Sequence, residues 1–170
     1  CFGAFNPNEG KWETLANSPH DSTAGLWPMG WPTVGGGGGM DLALSPEELF
    51  DRMCTWDEHN FIIGCGTKAG SDTETTDGIV DGHAYTVLTC VKNVAGTNFD
   101  LAKVRNPWGQ GEFESGQWDD DGPGWTEHPE VQDALQPALG VDDGVFWVSR
   151  EEFFRYFKTI YLSASDMTEF

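Results

Sequence analysis

Basic residues are scarce in this chain. Nine Lys and Arg stand against 28 Asp and Glu, for a net charge of −19. Such a surface repels phosphate backbones and anionic headgroups, which argues against nucleic acid and acidic membranes as partners. No apolar run approaches the roughly 20 residues that cross a bilayer, so no membrane span is expected. The four cysteines, Cys1, Cys54, Cys65 and Cys90, contain no Cys-x-x-Cys pair and no dense framework. This argues against a disulfide-stapled scaffold and fits a reducing, cytoplasmic setting. Cys65 and Cys90 lie in apolar segments and read as buried free thiols. Zinc is not expected, because His20, His59, His83 and His128 are scattered without ligand spacing. No Met opens the chain. Beginning at Cys1, it reads as a piece of something longer.

Bulky apolar residues are plentiful. Eight Trp and 11 Phe, within a hydrophobic share of 38%, supply a core at the size of one domain. They are not matched by regular structure everywhere. Residues 1–40 hold Pro7, Pro19, Pro28, Pro32 and the run Gly35 to Gly39, and read as an irregular linker or insertion. Phe2, Phe5, Trp12, Trp27 and Trp31 offer anchors there. Residues 41–170 read as the domain proper.

Ser45-Pro46-Glu47-Glu48 predicts a helix start, with Ser45 and Glu48 as a capping box and Pro46 in the first turn. Leu49, Phe50 and Met53 give the following helix, 46–56, an apolar face. Phe61 to Cys65 reads as a buried strand and Lys68 to Asp77 as a polar loop. His83 to Val91 and Phe99 to Arg105 read as a hairpin around a turn at Asn93 to Asn98. Residues 107–144 read as irregular. Val145 to Val148 reads as a strand, Ser149 and Glu152 as a second capping box opening a short helix, and Thr159 to Leu162 as a last strand. Strands with two short helices predict an α+β fold on an antiparallel sheet.

A hairpin turn centred between Val94 and Ala95 sets His83 opposite Asn106, with Cβ atoms about 5 Å apart. An imidazole can take a proton from a thiol and return it to a leaving amine. An Asn oxygen can accept the other ring N–H and so hold the tautomer. A strand His beside an Asn is, by itself, an ordinary polar pair.

The flanking residues say more. Gly82-His83-Ala84-Tyr85 and Arg105-Asn106-Pro107-Trp108-Gly109 resemble the histidine and asparagine motifs of the calpain family. The resemblance extends from about Pro46, through Ile63-Gly64-Cys65 and Asp143-Gly144-Val145-Phe146-Trp147, to the aromatic C-terminal helix and strand. It implies the C-terminal lobe of a papain-like fold, an antiparallel sheet or half-barrel with short flanking helices. It implies that His83 is the general acid/base, Asn106 its orienting partner, and Trp108 a cover over the pair. Pro107 would fix the chain just past Asn106.

The family's nucleophile lies in a separate N-terminal lobe, in a Gln-Gly-x-x-Gly-Asp-Cys-Trp stretch. Nothing here matches it, and Cys1-Phe2 imitates only its end. The resemblance therefore implies an intracellular endopeptidase for protein substrates whose Cys-bearing lobe is a partner, with this chain alone inactive. The alternative is a catalytically dead calpain-like module serving regulation or protein interaction. The family also binds calcium in this lobe. Asp120 and Asp143 match two ligand carboxylates, and either Glu112 or Glu114 matches a third. Val145 stands where calcium-dependent members carry Glu, so weak calcium binding is expected. Between Glu112 and Asp143 there is no Lys or Arg to answer a carboxylate cluster.

Overall fold

Local chemistry starts the first helix. Ser45 Oγ accepts the Glu48 N–H at 3.2 Å, while the Glu48 carboxylate accepts the Ser45 N–H at 2.8 Å. Helix α1 then runs over Pro46–Glu58, slightly longer than predicted. Leu49, Phe50, Met53 and Trp56 fall on one stripe and are buried. Burying each such side chain contributes about 1.5–3 kcal/mol. The structure, a computed structural model, describes residues 2–6, 11–14 and 44–163, the first two stretches as backbone only.

Seven antiparallel strands form an open sheet. They are β1 (Phe2–Asn6), β2 (Lys11–Thr14), β3 (Ile62–Thr67), β6 (Ala84–Val91), β7 (Leu101–Arg105), β8 (Val145–Ser149) and β9 (Phe157–Ser163). The spatial order is β2-β1-β9-β3-β6-β7-β8, and a separate hairpin joins β4 (Thr75–Thr76) to β5 (Ile79–Val80). Helix α1 packs on β3 and β6 and meets α4 (Arg150–Tyr156). The predicted second capping box opens α4: Ser149 Oγ accepts the Glu152 N–H at 3.2 Å. The main core gathers Phe50, Met53, Trp56, Ile63, Phe146 and Phe153. The fold is α+β, with no closed barrel among the described residues.

Several elements lie where the sequence reading has none. Strands β1 and β2 fall within 1–40; β1 pairs onto β9 and β2 pairs onto β1, contacts that local Gly and Pro content does not report. The aromatic anchors expected there lie outside the described side chains. Helices α2 (Gly124–Glu127) and α3 (Pro129–Leu135) occupy part of 107–144. They are too short to show a helical period and depend on packing. Trp125 stands 4.9 Å from Trp118 and donates its indole N–H to Asp119 O at 2.8 Å. The β4–β5 turn is Asp77-Gly78, with φ of 51° and 82°. That pair is a hairpin signal the sequence does carry.

The β6–β7 register differs from the predicted one. Thr86 pairs with Arg105 and Val87 with Val104, so continuing the ladder sets Asn106 level with Tyr85 and diagonal to His83. The cause is a longer loop, 92–100, holding a 3-10 turn at Val94–Gly96 rather than a tight turn. Beyond a bulge between Val87 and Thr89 the pairing steps by one, to Thr89 with Lys103 and Cys90 with Ala102. Side-chain parity steps with it: Tyr85 and Val87 are buried above the bulge, Cys90 below it, and Leu88 is exposed. Extended without the bulge, the lower register would put His83 and Asn106 on opposite faces. Asp57, from α1, seats the bulge. Its Oδ2 accepts the Thr89 hydroxyl at 2.6 Å and the Cys90 N–H at 3.0 Å.

Candidate active site

The backbone of His83 is tied to the end of β3. Its N–H donates to Thr67 Oγ1 at 3.0 Å, and its carbonyl accepts the Thr67 N–H at 3.0 Å. Thr67 Oγ1 in turn lies 2.8 Å from Val80 O, toward which it donates. Gly82 precedes with φ +62°, and a Cβ there would stand 2.4 Å from Gly70 O. The imidazole meets the edge of Tyr85 at 5.1 Å, and Tyr85 is itself pinned because its hydroxyl accepts the Val80 N–H at 2.9 Å. Burial, as the main cause, pushes the Tyr85 phenol above its ordinary pKa, so it stays a neutral wall. Nothing in the sequence marks Thr67, whose role depends on a strand neighbour distant along the chain.

Asn106 is fully buried, and its amide is completely engaged. The backbone N–H donates to Gly144 O at 2.7 Å. Nδ2 donates to Gln110 O at 2.9 Å and to Gly111 O at 3.2 Å. Oδ1 accepts the Trp108 N–H at 3.1 Å and stands 3.1 Å from His83 Nε2. Two carbonyls on Nδ2 and an N–H on Oδ1 leave one amide orientation. His83 Nε2 must then be the protonated nitrogen, donating to Oδ1. Nδ1 keeps its lone pair and has no protein partner among the described residues. The Trp108 ring lies 4.2 Å from the imidazole, tilted by 42°, and is half exposed. His83, Asn106 and Trp108 are thus one unit: a base with a fixed tautomer under an aromatic cover.

A match to the model of the family described as calpain family cysteine protease spans residues 13–164, so it includes this unit. The chain belongs to the calpain family. It is 34% identical to the maize (Zea mays) calpain-type cysteine protease DEK1 over 71% of its length, and 32% identical to Calpain-A of Drosophila melanogaster over 76%. Calpain-9 of Rattus norvegicus is 31% identical over 68%. The chain spans only 5%, 17% and 17% of those relatives, respectively.

A cysteine protease needs a thiol that ionises readily. Burial pushes the Cys65 thiol well above its ordinary pKa, and a hydrogen bond with Cys54, together with burial, does the same to Cys90. Cys54 packs against the core. Neither Cys65 nor Cys90 has the character of a readily ionised thiol, and Cys1 lies outside the described residues.

The acidic loops bring Glu112 against Asp143 and near Asp120. Glu112 Oε1 accepts the N–H groups of Asp143 at 2.9 Å and Gly144 at 2.8 Å. Asp143 Oδ1 accepts the Val145 N–H at 2.9 Å, and Asp120 Oδ2 the Val141 N–H at 3.2 Å. Glu114 sits beside the Gly78 turn instead, its backbone N–H bonded to Asp77 O at 3.0 Å. Of the two candidates, Glu112 is therefore the one joined to the 141–145 loop. Burial and the nearby Asp120 charge raise the Glu112 pKa, against the opposing pull of its two amides. Among the described residues, no group of three His, Cys, Asp or Glu is placed to hold a metal ion. As arranged, Glu112 Oε1 is engaged by two amides, and the Val145 side chain brings no oxygen ligand. Asp119, which the sequence reading passes over, organises the same loop. Its carboxylate accepts the Gly116 N–H at 2.9 Å and the Asp121 N–H at 3.0 Å.

Proposed function

We propose that residues 41–170 are the His/Asn-bearing lobe of an intracellular calpain-like endopeptidase, with 1–40 a linker or insertion. Its protein substrates are cleaved once a separate N-terminal lobe supplies the cysteine. The observation that carries this is the buried Asn106 amide, locked in one orientation, with Oδ1 3.1 Å from His83 Nε2. That bond leaves Nδ1 as the basic nitrogen. His83 takes the thiol proton there, and the imidazolium keeps its Nε2–H on Asn106. The thiolate attacks the peptide carbonyl, and the proton passes from Nδ1 to the leaving amine as the C–N bond breaks. Water, losing a proton to Nδ1, then hydrolyses the thioester. Trp108 shields the His83–Asn106 bond from solvent, which strengthens it.

Calcium has a minor place in this reading. Glu112 Oε1 is shared by two amides and Val145 stands where a ligand carboxylate is expected, which supports weak affinity, in or above roughly the 10⁻⁴ M range of poorly liganded sites.

The test is to join the chain to a Cys-bearing calpain-family lobe and measure peptide hydrolysis. Turnover is expected only in the joined protein, and its loss on His83→Ala. The chain alone is expected to show no turnover and no cysteine labelling by peptidyl electrophiles. Specific labelling of Cys1, Cys54, Cys65 or Cys90 would refute the two-lobe reading. A joined protein that binds proteins without cleaving them would favour a regulatory module.

A further inference from the structure

Asn106 is held from two loops, and both holds pass through carboxylates that the reaction does not use. Its backbone N–H rests on Gly144 O, and the Gly144 N–H rests on Glu112 Oε1. Its side-chain Nδ2 reaches Gly111 O, and the Gly111 N–H rests on Asp142 Oδ1. Glu112 follows Gly111, and Asp142 lies two residues before Gly144. The two loops therefore clamp each other in a closed ring of hydrogen bonds with Asn106 at one corner. Glu112 also takes the Asp143 N–H, so one carboxylate oxygen satisfies two successive amides. Charge-assisted bonds of this kind are stronger than neutral ones.

The clearance at Gly144 is small. At φ +77°, a Cβ there would lie 2.9 Å from Gln110 N and 3.0 Å from Asn106 O. The 141–145 loop thus sits directly against the asparagine loop, and any drift of Gly144 moves the carbonyl that receives Asn106.

We propose that Glu112 is a positioning residue for the His83–Asn106 pair: its carboxylate, bound to the Asp143 and Gly144 amides, holds Gly144 O and through it Asn106 Oδ1 in reach of His83 Nε2. The inference rests on the proteolytic reading for its consequence, a fixed His83 tautomer. The hydrogen-bond coupling is measurable without catalysis.

The experiment is nitrogen-15 NMR of the 170-residue chain and its Glu112→Ala, Glu112→Asp and Glu112→Gln variants. It follows the Asn106 side-chain amide, the His83 ring nitrogens and, as a fold control, the Trp125 indole N–H bonded to Asp119 O. In the parent chain His83 is expected as the Nε2–H tautomer. Glu112→Ala is expected to raise exchange of the Asn106 amide protons about tenfold, the effect of roughly one lost net hydrogen bond, and to mix the His83 tautomers. Glu112→Gln, which keeps an acceptor oxygen, is expected to restore most of both signals. Unchanged Asn106 and His83 signals in Glu112→Ala, with Trp125 intact, would overturn the proposal. If that variant loses the Trp125 signal, Glu112→Asp decides. Shifted Asn106 and His83 signals support the proposal, and parent-like ones overturn it. A joined two-lobe protein that fails to cleave while these shifts occur would refute the proteolytic reading and leave the coupling standing.

Discussion

Replacing Asp57 with Ala tests whether a carboxylate on α1 governs the face on which His83 and Asn106 meet. The change deletes the acceptor for the Thr89 hydroxyl and the Cys90 N–H, at 2.6 and 3.0 Å. Hydrogen bonds to a charged partner contribute about 1.5–3 kcal/mol each. The Thr89 hydroxyl is half buried and can turn to water, so its share falls near the bottom of that range. The Cys90 N–H, next to a buried side chain, loses more. A combined loss of about 3–4.5 kcal/mol follows. The bulge is the second casualty, because an unpaired residue in a ladder persists only where its neighbours are held. Urea unfolding of the parent and the Asp57→Ala chain measures the first effect. Backbone NMR contacts between β6 and β7 measure the second, with loss of the Thr89–Lys103 pairing expected before that of Val87–Val104. Asp57→Asn keeps one oxygen acceptor and is expected to fall between the two. A destabilisation under about 0.5 kcal/mol, the scatter of ordinary surface changes, with β6–β7 contacts intact, would refute the assignment of Asp57 to the bulge.

Three further outcomes are expected. Gly144→Ala places a Cβ 2.9 Å from Gln110 N at a φ of +77°, and is expected to destabilise the chain by about 2–4 kcal/mol in urea unfolding, from backbone strain plus overpacking; loss below about 1 kcal/mol would mean the loops separate freely. The pKa values of Glu112 and Asp119 are both raised, chiefly by burial. Their protonated forms are therefore favoured in the fold, so their stabilising contribution is complete below the ordinary carboxylate range and is lost as pH rises through the elevated values. Glu112→Gln is expected to flatten that segment of the urea midpoint against pH, and an unchanged curve would contradict the burial argument. Isothermal titration of calcium into the chain and Asp143→Ala is expected to show weak heats in the parent that shrink in the variant. Sub-micromolar binding would show that Val145 is no handicap, and equal heats would show that the acidic loops are only solvated.

What the sequence determined by itself is what short-range chemistry governs. Both capping boxes close over three residues, so Ser45–Glu48 and Ser149–Glu152 were legible as helix starts. The Gly-His-Ala-Tyr and Arg-Asn-Pro-Trp-Gly stretches pointed to the calpain family that the family match shows, because an imidazole, an amide and an aromatic cover are recognisable as residue types before their positions are known. Asp77-Gly78 carries a turn signal of the same short range, though the sequence reading takes Lys68 to Asp77 only as a polar loop. Tertiary structure decided where those groups stand. The β6 bulge depends on Asp57 from a helix far along the chain, and a one-residue step there exchanges the faces of the strand. Thr67, Gly144 O and the choice of Glu112 over Glu114 are contacts between segments whose separation no local pattern encodes. Helices α2 and α3 pack into a cluster with Val94, Leu101 and Trp147, and strand β1 pairs onto β9; these partners lie far along the chain, which is why composition alone reads those stretches as irregular.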